Sequence, residues 1–294
     1  MVQISDNLRG AALMAGSMAA FTVNDAFMKA LSGDLPLMQA LFLRGLGVVT
    51  ALTLLAWALG QLRFDLGGRN WRLVLLRTAA EVAAAWFFLT ALFNMPLANL
   101  SAILQALPLT VSLAAALFLG EPLGWRRLTA IAVGFLGVLL IVKPGAEGFT
   151  IYSLYGLGAV ACVTLRDLAV RRMSAEVPSI LVALVAAVGV TIFAGLGTLP
   201  AAWVPVDGGT ALNLAGAMVF VIGGYVFSVA AMRQGEIAVI APFRYTSLLV
   251  ALVLGYLVFG EFPGPLTLTG AGIVVAMGLF TLYREARLKR RRAA

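Results

Sequence analysis

The chain has 294 residues, 62% of them hydrophobic and only 12% charged, with a net charge of +8 and no histidine. A soluble domain is about half apolar and a quarter charged, so this composition lacks the polar material to cover a water-facing surface and excludes a soluble enzyme or nucleic-acid-binding module. Continuous apolar runs also exclude a closed membrane barrel, whose strands alternate over about 10 residues. An all-α membrane protein remains.

A helix needs roughly 20 apolar residues to cross the hydrocarbon core, and ten such stretches succeed one another. They cover residues 10–31, 36–60, 71–94, 97–118, 125–142, 151–172, 178–199, 210–233, 238–259 and 265–283. The breaks are short and rich in turn residues, as in Ser32–Gly33–Asp34 and Asp207–Gly208–Gly209. The first stretch is too long and too interrupted for a cleaved signal peptide. It carries Phe21, Asn24, Asp25 and Lys29, and each ionisable group in hydrocarbon costs several kcal/mol. Asp25 and Lys29 are four apart in the favourable acid-first order and are expected to pair. Lys29 is expected to reach water at the outer end, with Asn24 turned about 100° from that pair.

The second span follows Pro36 and carries Arg44, expected to be paired and structural. In the third, Arg77 can neutralise Glu81 one turn later, and Thr78, Glu81 and Phe88 share a face beside Trp86 and Phe87. The fourth places Ser101, Gln105, Pro108 and Ser112 on one polar stripe, which lipid cannot satisfy. In the sixth, Tyr155, Cys162 and Arg166 fall together, while Arg166 and Asp167, being adjacent, are not expected to face each other. Tyr225 and Ser228 share a face in the eighth. The ninth holds Pro242, Arg244, Tyr245 and Tyr256. Arg244 is the cation assigned here to a ligand carboxylate. Mid-span prolines weaken a helix, which makes Pro108 and Pro242 candidate hinges. One cysteine and no histidine leave no disulfide and no Cys/His metal site, so no metal or cofactor is expected.

Six of the 21 basic residues lie in the last eleven. With both termini in the cytoplasm, the inner segments hold Arg9, Arg63, Arg69, Arg72, Arg126, Arg127, Arg171, Arg172 and the tail, against Lys29, Lys143 and Arg233 outside. This is the asymmetry of a positive-inside topology, and it predicts a multi-pass protein of the inner membrane. The basic tail, 284–294, is expected to meet anionic lipid rather than nucleic acid.

An offset of 140 residues lays Gly120–Glu121 on Gly260–Glu261, Leu128–Thr129 on Leu268–Thr269, and Phe87, Ala91 and Ala98 on Phe227, Ala231 and Ala238. Gln105 then falls on Tyr245. The spans divide five and five, as domains 1–145 and 146–294. Because five is odd, the second unit crosses in the opposite sense, giving inverted repeats around a central cavity, a construction of secondary carriers.

The chain resembles the ten-helix, EamA-type members of the drug/metabolite transporter superfamily, and within them most closely the YddG-like amino-acid exporters. The residues that carry this are Phe21, Asn24, Lys29, Pro36 and Arg44 in the first two spans. To these are added a Gly–Glu pair closing each fourth helix and the glycines of each fifth, Gly134 and Gly137, then Gly270 and Gly272. Phe21 stands where the family has tryptophan. The resemblance implies a cavity lined by helices 1, 3, 4, 6, 8 and 9, with helices 5 and 10 peripheral.

The expected function is therefore export of a small metabolite by alternating access, with aromatic or neutral amino acids as substrates and a monomer as the working unit. Asn24, Asp25, Thr78, Glu81, Ser101, Gln105, Tyr225, Ser228, Arg244 and Tyr245 form the expected pathway. Organic-cation export, which wants a free carboxylate, and sugar-phosphate or nucleotide-sugar transport, which wants several converging cations, are the alternatives. No Walker loop, catalytic elbow or histidine supports an enzyme.

Overall fold

The computed structural model describes residues 2–62, 64–121, 123–143, 150–174, 176–232 and 237–293; side chains are outside the description at 2–5, 229, 232, 237, 238, 285, 286 and 288–293. All regular structure among them is helical. The helices are α1 (Val2–Ala30), α2 (Leu37–Ala58), α3 (Gly67–Asn94), α4 (Leu97–Leu104), α5 (Leu107–Leu119), α6 (Trp125–Val142), α7 (Ile151–Arg171), α8 (Ser179–Thr198), α9 (Gly208–Met232), α10 (Ile237–Ile240), α11 (Thr246–Phe259) and α12 (Pro265–Ala293). Among the described residues, nine of the ten expected spans are long and apolar enough to cross a membrane, with α4 and α5 counted together. The exception is α1, the helix that carries the polar cluster.

Sequence punctuation sets the ends. Pro36, Pro96 and Pro178 precede α2, α4 and α8, where a missing N–H costs nothing. Gly120 and Gly260 close α5 and α11 in the left-handed conformation, at φ 68° and 65°, which glycine adopts freely. The Gly–Glu motif is thus a matched helix stop in both halves.

The fourth and ninth spans are both broken near mid-membrane. α4 stops at Leu104, and α5 starts after Gln105 and Ala106 with Pro108 in its first turn. α10 gives way to a tight turn of helix over Ala241–Tyr245, with Pro242 in its first turn, before α11. The two breaks coincide in the repeat register, at Gln105 and Tyr245.

Helix pairing carries the same symmetry. α1 packs on α9 as α3 packs on α7, α3 meets α8 as α9 meets α2, and α1 meets α11 as α7 meets α4 and α5. The pairs α2–α8 and α6–α12 each map onto themselves. Exchanging two five-helix units leaves the packing unchanged, so the fold is a pair of inverted repeats. Alternation puts the start of α1 and the end of α12 on one face, here the basic face, with the ends of α1 and α11 on the other. Arg233, counted above with the outer connections, lies outside the described residues.

Glycine permits the closest approaches. A Cβ on Gly137 of α6 would lie 2.8 Å from the Gly270 carbonyl oxygen of α12, and one on Gly270 would lie 2.5 Å from the Gly137 oxygen. Phe21 of α1 sits on Gly224 of α9, and Phe87 of α3 sits on Gly158 of α7. α6 and α12 thus join backbone to backbone, while Val133, Leu136 and Leu139 of α6 remain exposed, the surface expected against lipid.

Candidate functional site

Charged side chains buried in a membrane must find partners, and here they find them within each repeat and, at Arg166–Glu81, between the repeats. The Asn24 amide donates to Asp25 Oδ1 at 2.9 Å, and Arg44 donates to Asn24 Oδ1 at 3.2 Å. Arg44 interacts electrostatically with both Asp25 and Glu81. Glu81, at the middle of α3, accepts both Arg166 from α7, at 3.2 Å, and Arg77, at 3.5 Å. The Arg166 Nε donates to Asp167 Oδ1 at 3.0 Å, and Arg77 also donates to the Val182 carbonyl at 3.3 Å. Tyr225 of α9 completes the set, within electrostatic reach of Arg44, Arg77, Glu81 and Arg166.

These groups form a column rather than a point. With about 1.5 Å of rise per residue, Asp25 lies roughly 8 Å from the outer end of α1 and Arg166 roughly 8 Å from the basic end of α7. Glu81 and Tyr225 bridge between them. Three acids, Asp25, Glu81 and Asp167, face three arginines, Arg44, Arg77 and Arg166, so the column is neutral. On the basic side it reaches a cleft of about 310 Å³ lined by Arg77, Met173, Ser174, Val177, Ser179 and Val182.

An aromatic group borders the column towards the outer face. Tyr155 packs 5.5 Å from both Trp86 and Phe87, centroid to centroid, and Phe21 meets Tyr225 edge-on at 5.3 Å.

The remaining expected residues are dispersed. Gln105 is buried and donates to the Ser247 hydroxyl at 3.0 Å, joining the two helix breaks. Ser101 is buried one turn earlier. Thr78 turns its methyl onto Gly189 of α8. Tyr245 is buried with its hydroxyl against Gly278 of α12. Arg244 is exposed and takes no part in the column. Ser228 is half-buried.

Four expectations are corrected. Asp25 does not pair with Lys29. Lys29 is buried, bridging to Glu261 at 3.0 Å and to the Met95 carbonyl at 2.7 Å. It therefore does not reach water. Asn24, expected to point away, hydrogen-bonds Asp25 after all, because a short side-chain amide can curl along the helix to its neighbour. Arg166 curls onto Asp167 in the same way, a reach that its four-bond stem allows. Sequence reasoning also set Arg44, Arg77 and Arg166 aside from the pathway. Their position inside apolar spans was the signal that could have retained them.

Comparison with known proteins agrees with this architecture. Residues 8–143 match the EamA-like transporter family model. The chain is 27% identical over 202 residues to an S-adenosylmethionine uptake transporter of Rickettsia conorii, covering 67% of each chain. It is 29% identical over 226 residues to a riboflavin transporter of Vibrio cholerae, covering 76% of this chain and 75% of that one. It is 28% identical over 273 residues to a pseudopaline exporter of Pseudomonas aeruginosa, covering 90% and 92%. A solved crystal structure shares the fold, with a TM-score of 0.65 and 18% identity over 97% of this chain and 99% of the other. The likeness to EamA-type transporters is borne out.

Proposed function

We propose that this protein, a multi-pass membrane transporter of the EamA type, exports a small zwitterion, an aromatic or neutral amino acid, by alternating access between its two repeats. The observation that carries this is the neutral column of three acids and three arginines, joined from one repeat to the other by Arg166 and Glu81. An amino acid brings one charge of each sign. Its carboxylate can replace Glu81 or Asp167 on Arg166, and its ammonium can take up the acid released. The exchange keeps every buried charge paired. Arg166, in place of Arg244, becomes the carboxylate partner, and the rings of Tyr155, Trp86 and Tyr225 receive the side chain.

The alternatives fit less well. An organic cation wants a carboxylate without a counter-charge, and Asp25, Glu81 and Asp167 each have one. A sugar phosphate or nucleotide sugar wants surplus cations, which a neutral column does not offer. The relatives by name move small metabolites, some inward and some outward, so the outward direction belongs to this proposal. So do repeat domains of 1–145 and 146–294, an inner-membrane location with cytoplasmic termini, and a monomer with its tail on anionic lipid. Pro108 and Pro242 act as the flexing points at the two breaks.

The test is flux into proteoliposomes of a labelled aromatic amino acid, an organic cation and a sugar phosphate, with and without a pH gradient. Saturable amino-acid flux, abolished by Arg166→Ala, supports the reading. Movement of the cation alone, in exchange for protons, overturns it.

A further inference from the structure

The symmetry relating the repeats also relates two ion pairs at opposite faces. At an offset of 140 residues Glu121 falls on Glu261. The first helices need a slightly different register, which packing supplies: Phe227 covers Gly16 as Phe87 covers Gly158, an offset of 142 for α1 onto α7. That register carries Lys29 onto Arg171, and Thr22 onto Thr164. The threonines confirm it. Thr22 reaches the Ser247 carbonyl at the start of α11, and Thr164 reaches Thr110 at the start of α5.

Lys29–Glu261 and Arg171–Glu121 are therefore the same contact made once at each face. Each joins the first helix of one repeat to the end of the broken helix in the other. They are made to different degrees. The outer pair, at 3.0 Å, is the more enclosed, with the Lys29 side chain 10% and the Glu261 side chain 31% exposed. Its ammonium is further held by the Met95 carbonyl and lies 5.3 Å from the Phe259 ring. The basic-face pair, at 2.8 Å, is 41% and 42% exposed. It stands on the same face as the 310 Å³ cleft, which Met173 and Ser174 help to line.

We propose that these pairs are the two opposed latches of the transport cycle: Lys29–Glu261 closes the outer mouth, Arg171–Glu121 closes the basic-face mouth, and each mouth opens by breaking its own pair. This inference rests on the alternating-access part of the functional reading and not on the substrate. The inequality between the pairs follows from solvation. In the outer latch the Lys29 ammonium is shielded from water, so breaking the pair strands a buried cation. The basic-face latch is hydrated on both sides and screened by salt. The structure is thus locked outside and only loosely held at the basic face.

The experiment uses full-length protein in detergent, carrying Cys162→Ala and one reporter cysteine. Ala98→Cys is buried beside Gly255, whose added Cβ would lie 3.7 Å from the Ala98 Cβ, next to the outer latch. Val177→Cys lines the basic-face cleft. Maleimide labelling is timed for each reporter, without any substrate. Lys29→Met is expected to raise Ala98→Cys labelling roughly tenfold or more and to slow Val177→Cys labelling, because loss of a buried partner shifts the population outward. Lys29→Arg and the swap Lys29→Glu with Glu261→Lys are expected to restore slow labelling at Ala98→Cys. Glu121→Gln is expected to speed Val177→Cys labelling only slightly and to leave Ala98→Cys slow. Unchanged labelling in Lys29→Met, or an equal rise at both reporters, overturns the proposal, as does failure of both charge-preserving variants to restore protection. A negative flux result with every amino acid, beside the expected labelling pattern, would refute the substrate and leave the latches standing.

Discussion

Glu81 is the point where the column can be broken with least disturbance of shape, and Glu81→Gln is the perturbation of choice. Its carboxylate neutralises Arg166 at 3.2 Å and Arg77 at 3.5 Å. Glutamine keeps the volume and one acceptor but leaves two guanidiniums without their shared charge. Removing one partner of a fully buried pair costs about 3–5 kcal/mol. Here the side chains are 20% exposed for Glu81 and 28% for Arg166, and Arg166 keeps Asp167, so about 2–3 kcal/mol is expected. The reference is Glu121→Gln at the exposed pair, where the loss should not exceed about 1 kcal/mol. Thermal unfolding of the two purified variants in one detergent, followed by tryptophan fluorescence, gives the comparison. The double variant Glu81→Leu with Arg166→Leu should recover part of the loss of Glu81→Leu, since a charge pair removed whole leaves nothing stranded. If Glu81→Gln is no more costly than Glu121→Gln, or if the double variant merely adds the single losses, the column is not an energetically coupled unit.

Gly137→Ala and Gly270→Ala each drive a methyl to within 2.8 Å of a carbonyl oxygen on the facing helix. Each should cost about 1–3 kcal/mol by forcing α6 and α12 apart, read by thermal unfolding beside Gly272→Ala, whose added Cβ meets nothing within 4 Å. Gln105→Leu removes the hydrogen bond to Ser247 between the two helix breaks. It should slow turnover in the flux assay more than it alters half-saturation, and equal effects on both would refute a role in conformational exchange. At the start of α9, outside the membrane span, the Asp207 carboxylate accepts the Thr210 backbone N–H at 2.7 Å. That bond holds its pKa below the ordinary value of 3.8. A lowered carboxylate pKa stabilises the fold above the ordinary value and loses that effect as pH falls through the folded one. Wild type and Asp207→Ala should therefore differ in thermal stability at neutral pH and converge below about pH 3.

The sequence by itself determined the membrane class, the span count and the inverted repeat. Those rest on properties that sum along the chain: apolar length, glycine and proline at helix ends, and parity. The matched stops at Gly120 and Gly260 and the breaks near Pro108 and Pro242 were legible for that reason, because they are local backbone chemistry. The partners of the charges were not. Spacing on one helix pointed to Asp25–Lys29, whereas Lys29 bridges to Glu261, 232 residues away. Arg244 and Tyr245 were chosen beside a proline, yet the fold turns Tyr245 towards α12 and leaves Arg244 exposed. In hydrocarbon an ionic group is stabilised by whichever opposite charge packing brings closest, and only the meeting of α1, α2, α3, α7 and α9 decides which that is.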